Sequence, residues 1–257
     1  MTSRESSTRN QIERASQALV RTAPEVIRTF KGWLEAELPM VKNGFVWKIP
    51  ELDGFDAKRF PSSAEANVRL KYFLSEKWKS GNAKDREKIA EWIIAEWGGI
   101  RRNSEDRIKQ HAKTAANPPD LLSQSGIASL SKVMSVVDPD LFAIYDARVA
   151  AALNAVQLQA KLKRGIAFRY VVGRNVAIHG SRDAKGNQLS KGFVHAYPFG
   201  VLRSRGWVVP GRGQNYWTYL GLLHACKRQL DGYKLSELEM ALFRAAPTIC
   251  GDLLNGS

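Results

Sequence analysis

Lys132 and Asp146 stand out in "SLSKVMSVVDPDLFAIYDARVAAAL", residues 129–153, where an amine and a carboxylate border apolar runs. An aspartate ahead of an apolar helix can cap it, here by accepting from the amide of Arg148 or Val149, for about 1 kcal/mol. The same carboxylate could instead be held there to act on something. A lysine on a helix face is commonplace, and one near a helix start above a Gly-containing loop can hold a phosphate. The two residues are 14 apart in sequence, and the stretch between them shows how they could meet. A helix from about Ser129 to Val137 rises about 12 Å, and Pro139 ends it by disfavouring a helical Asp138. The seven residues Pro139–Tyr145 reach roughly 20 Å when extended, far enough to return to the helix start. The spacing therefore predicts that Asp146 enters its helix beside Lys132.

The elements that must position this pair are helical. Ile12, Ala15, Leu19, Val20, Val26, Ile27, Phe30 and Leu34 fit one or two amphipathic helices over 9–38, broken near Pro24. "PMVKNGFVWKIPELDGFDAKRFPS" (39–62) reads as a long loop with room for one short strand. Helices are predicted at 64–79, 84–97 and 104–116, with Gly98-Gly99 as a stop after the second. Further helices are expected at about 147–160, 214–230 and 235–246, the last with capping-box spacing between Ser236 and Glu239. The expected fold is mainly α: two lobes of helices around a central cleft, within one unit spanning 1–257. Residues 1–40 plus 214–257 would form one lobe and 64–160 the other. A basic, loop-rich insert over 161–213 has room for one small β-hairpin.

Composition narrows the partner. The 257 residues are 44% hydrophobic with seven tryptophans, enough for a packed interior. No run of 18 apolar residues occurs, and the polar N-terminus lacks a signal core, so a cytoplasmic protein with no membrane partner is expected. Cys226 and Cys250 are too few for a disulfide framework or a four-cysteine cluster, and Cys226 reads as a core residue. The four histidines are scattered, so neither a metal site nor a cofactor is expected. The net charge is +14, and Lys161–Gly213 holds eleven Lys or Arg against one acid, Asp183. Such clustering favours a nucleic acid partner.

"SGIASLSKVMSVVDPDLFAIYDARVAAAL" resembles the hairpin and following helix of the helix-hairpin-helix DNA glycosylase superfamily. "YDARV" matches the family's aspartate element, and the resemblance puts Asp146 at the catalytic carboxylate and Lys132 at the nucleophile of strand-cleaving members. The hairpin itself would be about Leu121–Ser131, with Gly126 as its one glycine. "WGGI" (97–100) and "ELEMALF" (237–243) add to a closer likeness to bacterial proteins of the 8-oxoguanine-glycosylase fold, a group that includes antiphage glycosylases acting on modified DNA. The four-cysteine iron–sulfur cluster of some branches cannot form here.

What the resemblance implies is excision of a damaged or modified base from double-stranded DNA. Leaving of the base builds positive charge on the sugar, which a carboxylate at C1′ stabilises while positioning water. A neutral Lys132 amine could attack C1′ instead and open a strand-cleaving branch. The base must first leave the stack and enter a pocket. Candidate walls are Phe45, Trp47, Tyr145, Trp207, Tyr216 and Trp217. Gly126, Ser129 and Ser131 of the hairpin, with Arg148, Arg169, Arg174, Arg203, Arg205 and Arg212, are candidate DNA contacts. The excised base would be a glucosylated hydroxymethylcytosine of phage DNA or an oxidised purine. A DNA-binding protein without chemistry is the rival reading.

Overall fold

The computed structural model describes residues 3–183 and 185–256, and the chain is mainly α-helical. Helix α1 (Ser3–Thr22) ends ahead of Ala23, and Pro24 opens α2 (Pro24–Gly44) at a position where its missing N–H costs nothing. The break near Pro24 is as expected, but α2 runs on past Pro39 into the segment expected to be loop. Leu38 and Val41, both buried, flank that proline, so packing against the C-terminal helix outweighs the lost backbone hydrogen bond. Residues 45–62 then form a mostly irregular segment with a bridge between Leu52 and Phe55 in place of the short strand, and one 3-10 turn at Ala57–Arg59 capped by Asp56.

Side-chain caps set the next helices. Ser62 accepts from Glu65 N and starts α3 (Ser63–Ser80), while Asn82 and Asp85 form a reciprocal capping box at α4 (Ala83–Trp92). The last turn of α4 widens into a π-turn over Ile93–Trp97 and stops at Gly98-Gly99, where Gly99 takes φ +65°. Ser104 caps α5 (Glu105–Ala116), and left-handed Gly126 leads into α6 (Ile127–Val137). Asp146 caps α7 (Ala147–Gln159).

The basic insert is more ordered than a loop. It holds α8 (Val176–His179), the antiparallel pair β1 (Ser181–Arg182) and β2 (Gln188–Ser190), α9 (Phe193–Ala196) and α10 (Phe199–Ser204). Two buried amides of α7 tie down its start. Asn154 bonds both the N–H and the C=O of Phe168, and Gln157 does the same for Ile166, each standing in for a neighbouring peptide group. Helix α11 (Asn215–Lys227) follows.

The final helix, α12 (Leu235–Asn255), continues through Pro247, beyond the expected end at 246. Its start is held by Glu237, whose Oε2 accepts from Lys234 N at 2.8 Å, not by a Ser236–Glu239 box. α1 packs on α11, α5 and α3 on α6, and α12 on both α2 and α7. One continuous hydrophobic cluster runs through both groups of helices expected to form lobes, and Cys226 and Cys250 are buried in it. Among the described residues no helix is long and apolar enough to cross a membrane.

Candidate active-site cavity

The chain between α6 and α7 returns as its spacing predicts. Asp138 stops α6 and accepts from the amides of Asp140 and Leu141. Residues 141–145 then run back without helix until Tyr145 N donates to Ser131 Oγ at 2.9 Å. Because Ser131 precedes Lys132 and Tyr145 precedes Asp146, that bond draws the two backbone segments together. Lys132 and Asp146 both line one narrow cavity of about 30 Å3, room for a water and not for a base, together with Phe45, Trp47, Lys71, Trp97, Ile144, Glu239, Met240 and Phe243. A wider surface groove lies between α2, α3 and the start of α12, but it gathers neither residue.

Asp146 is both a cap and a cavity residue. Its Oδ1 accepts from Arg148 N and Val149 N, each at 3.0 Å, which fixes the direction of the carboxylate. Oδ2 takes no hydrogen bond among the described residues. Lys132 sits in the second turn of α6 and not at its exposed start, and it is only 6% exposed. Its Nζ has one weak contact, 3.4 Å to Ala128 O, and forms no ion pair among the described residues. Burial pulls its pKa below the ordinary lysine value, with Lys71 helping and with Asp146 and Glu239 opposing. An amine so held carries a larger neutral fraction than a surface lysine.

The aromatic walls are cross-braced. Trp47 Nε1 donates to Trp97 O, Trp97 Nε1 donates to Asn67 Oδ1, and Asn67 Nδ2 donates to Trp47 O, which closes a ring of three bonds at 2.9–3.0 Å. Trp47 meets Phe243 edge-on at 5.3 Å, and Phe45 meets Phe243 at 5.8 Å. Arg148 lays its guanidinium over Phe243, 4.4 Å from the ring centre.

Of the residues expected to wall a pocket, Phe45 and Trp47 line this cavity; Tyr145, Trp207, Tyr216 and Trp217 do not. Tyr145 turns inward, its hydroxyl donating to Arg169 O at 2.6 Å and its ring against Tyr219. Trp207 packs on Gly165 and donates to Leu162 O, Tyr216 donates to Ala143 O, and Trp217 is wholly buried beside Phe142. Each is an interior residue; the polar atoms of Tyr145, Trp207 and Tyr216 are satisfied there, whereas the buried Nε1 of Trp217 has no hydrogen-bond partner among the described residues.

The hairpin serines also differ from expectation. Ser129 and Ser131 are buried within α6, Ser129 accepting from Asn103 Nδ2 and Ser131 from Tyr145 N, so neither hydroxyl is free for DNA. Gly126 is half-buried, with φ +76° and His111 close to where a side chain would begin.

Arg169, Arg174, Arg203, Arg205 and Arg212 are all exposed, and none has an acidic partner among the described residues. Arg169 stacks over Phe199 at 4.9 Å. Gly173, next to Arg174, lies against Ala147, so the basic insert passes directly beside the start of α7.

Sequence reasoning missed Lys71, Trp97, Glu239, Met240 and Phe243. Two of its motifs held the signal. "ELEMALF" carries Glu239, Met240 and Phe243 on the cavity-facing side of α12, and "WGGI" supplies Trp97 and Gly98. A Cβ on Gly98 would fall 2.8 Å from Lys132 Cδ and from Ile93 O, so the glycine makes room for the buried lysine stem. Gly98→Ala is expected to destabilise the fold by about 1–3 kcal/mol, measured by denaturant titration, because backbone must shift to admit the methyl. Unchanged stability would mean that Lys132 is not held there.

No protein-family model, curated protein or solved structure matches the chain.

Proposed function

We propose that this protein is a DNA glycosylase of the helix-hairpin-helix type, which draws a modified base out of duplex DNA and cuts its N-glycosidic bond. The observation that carries the reading is the convergence of Asp146 and Lys132 in one aromatic-walled cavity. On this reading α5, the turn at 117–126 and α6 are the hairpin element, and the helices form two lobes around a DNA-binding cleft.

The chemistry follows from the two side chains. As the C1′–N bond breaks, its electron pair leaves with the base and C1′ becomes electron-poor. The ionised Oδ2 of Asp146 stabilises that centre. Water then adds to C1′, losing a proton to solvent, while the departing base gains one. Where Lys132 is neutral, its Nζ forms the new bond to C1′ instead; ring opening then gives an imine that permits strand cleavage. Trp47, Phe45 and Phe243 offer faces and edges to an extruded ring. Arg148 and the exposed arginines of the insert would neutralise phosphates on either side.

The base we favour is a hypermodified cytosine such as glucosylated hydroxymethylcytosine, which makes the role antiphage defence; repair of an oxidised purine is the second reading. Incubation of the purified protein with ordinary, oxidised and glucosylated DNA is expected to release free nucleobase from the glucosylated duplex. Release only from oxidised DNA would move the role to repair. Release from none, with DNA binding intact, would leave a binding protein without chemistry.

A further inference from the structure

Lys71 and Glu239 form a buried ion pair that the glycosidic chemistry does not use. Lys71 Nζ lies 2.8 Å from Glu239 Oε2, and the same oxygen accepts from Ile144 N at 2.7 Å. The two residues are 1% and 5% exposed, and both line the cavity that holds Lys132 and Asp146. Oε2 is thus committed twice, whereas Oε1 has no hydrogen-bond partner among the described residues. The ammonium of Lys71 has three donors and uses one. Buried pairs of this kind add little stability over apolar residues of the same size, because desolvation offsets their attraction. Neither Oε1 nor Lys71 Nζ is among the sealed-off polar atoms that lack a partner, so Oε1 keeps access to solvent, and it and the spare donors of Lys71 can bond a group that enters the cavity.

We propose that Lys71 and Glu239 form a base-reading subsite. Lys71 Nζ donates to an acceptor on the edge of the bound ring, and Glu239 Oε1 accepts from the neighbouring N–H of that same edge. The inference rests on the glycosylase reading and gives it a specificity element. Its ligand is a flat heteroaromatic ring with one N–H beside one acceptor, and the ring enters by parting the side chains of Phe45, Trp47 and Phe243, because the closed cavity of about 30 Å3 holds no more than a water.

Nucleobases carry such an edge in two orders: an exocyclic amine beside a ring nitrogen in cytosine and adenine, and an exocyclic carbonyl beside a ring N–H in guanine and thymine. A fixed donor beside a fixed acceptor suits one order and opposes the other. With Oε2 already occupied, the carboxylate takes a single N–H and cannot grip a pair of them.

The test is a binding series on the full chain. Labelled duplexes carry one bulged cytosine, adenine, guanine, thymine or difluorotoluene, or a tetrahydrofuran with no base. The unmodified protein is expected to bind one order of edge about tenfold more tightly than difluorotoluene or tetrahydrofuran. The double variant Lys71→Met/Glu239→Gln removes both charges together and keeps an acceptor for Ile144 N. It should lose that tenfold preference and still bind the tetrahydrofuran duplex. A protein that treats every ring like difluorotoluene overturns the subsite while leaving the glycosylase reading intact, and so does a variant that keeps the preference. If the variant does not fold, as judged by circular dichroism, the ring series on the unmodified protein decides alone. Failure of the unmodified protein to bind the tetrahydrofuran duplex would instead end the glycosylase reading, and the subsite with it.

Discussion

Asp146→Asn is expected to slow base release by about 10²–10³-fold, the usual cost of deleting one preorganised electrostatic contact to a charged transition state. The substitution isolates charge from structure. Asparagine is as good an N-cap as aspartate, and its side-chain oxygen can keep both bonds to Arg148 N and Val149 N. Thermal stability should therefore stay within about 1 kcal/mol of the parent, and affinity for duplex DNA should stay within about threefold, since the cavity carboxylate repels phosphate if it acts at all. What changes is Oδ2, the oxygen left without a partner, which becomes an amide nitrogen unable to offset positive charge at C1′. Single-turnover release of labelled base, with binding followed by anisotropy, separates the two effects. An equal loss of binding and release would mean that Asp146 holds the DNA, and undiminished release would remove it from the chemistry.

The return of the chain from Val137 to Asp146 was legible because it rests on local rules: a proline that ends a helix, an extended reach and a cap. Those rules need no knowledge of what packs around them. The limits of α2 and α12 were not legible for the opposite reason. Pro39 and Pro247 argue locally for helix ends, and tertiary burial of residues on both sides overrides them. The cavity was half legible. Lys132 and Asp146 lie within one short stretch, and Phe45 and Trp47 lie in an aromatic-rich segment. Lys71 is one of several lysines on a helix whose pattern marks it as surface, and its burial depends on Glu239, 168 residues away. No periodicity in either helix announces such a pair. Tyr145 misled for the same reason: adjacency to Asp146 in sequence puts its side chain on the other face of an extended backbone, toward the tyrosines of α11.

Lys132→Gln is expected to abolish covalent trapping of the protein on DNA by borohydride, a loss of at least about 10²-fold in an assay that reports only an imine. Glutamine keeps most of the stem that packs on Gly98, so the fold has little reason to change. The pH dependence tests the mechanism more sharply than the loss itself. Burial holds the folded pKa of Lys132 below the ordinary lysine value, so the reactive neutral amine accumulates at lower pH than it would on a surface lysine. The trapping rate should rise with pH and reach its plateau before an exposed lysine would. Because Asp146 opposes this depression, its removal must lower the Lys132 pKa further. In Asp146→Asn the rising limb should therefore move to lower pH even as the maximal rate falls. The same sign governs stability: between the folded and unfolded pKa values only the unfolded chain holds the proton, so the fold gains stability as pH rises through that window. Lys132→Gln should flatten that part of the stability profile. A limb that moves to higher pH in Asp146→Asn would show that the trapped amine is not the one beside Asp146, and trapping that survives in Lys132→Gln would assign the imine to another residue.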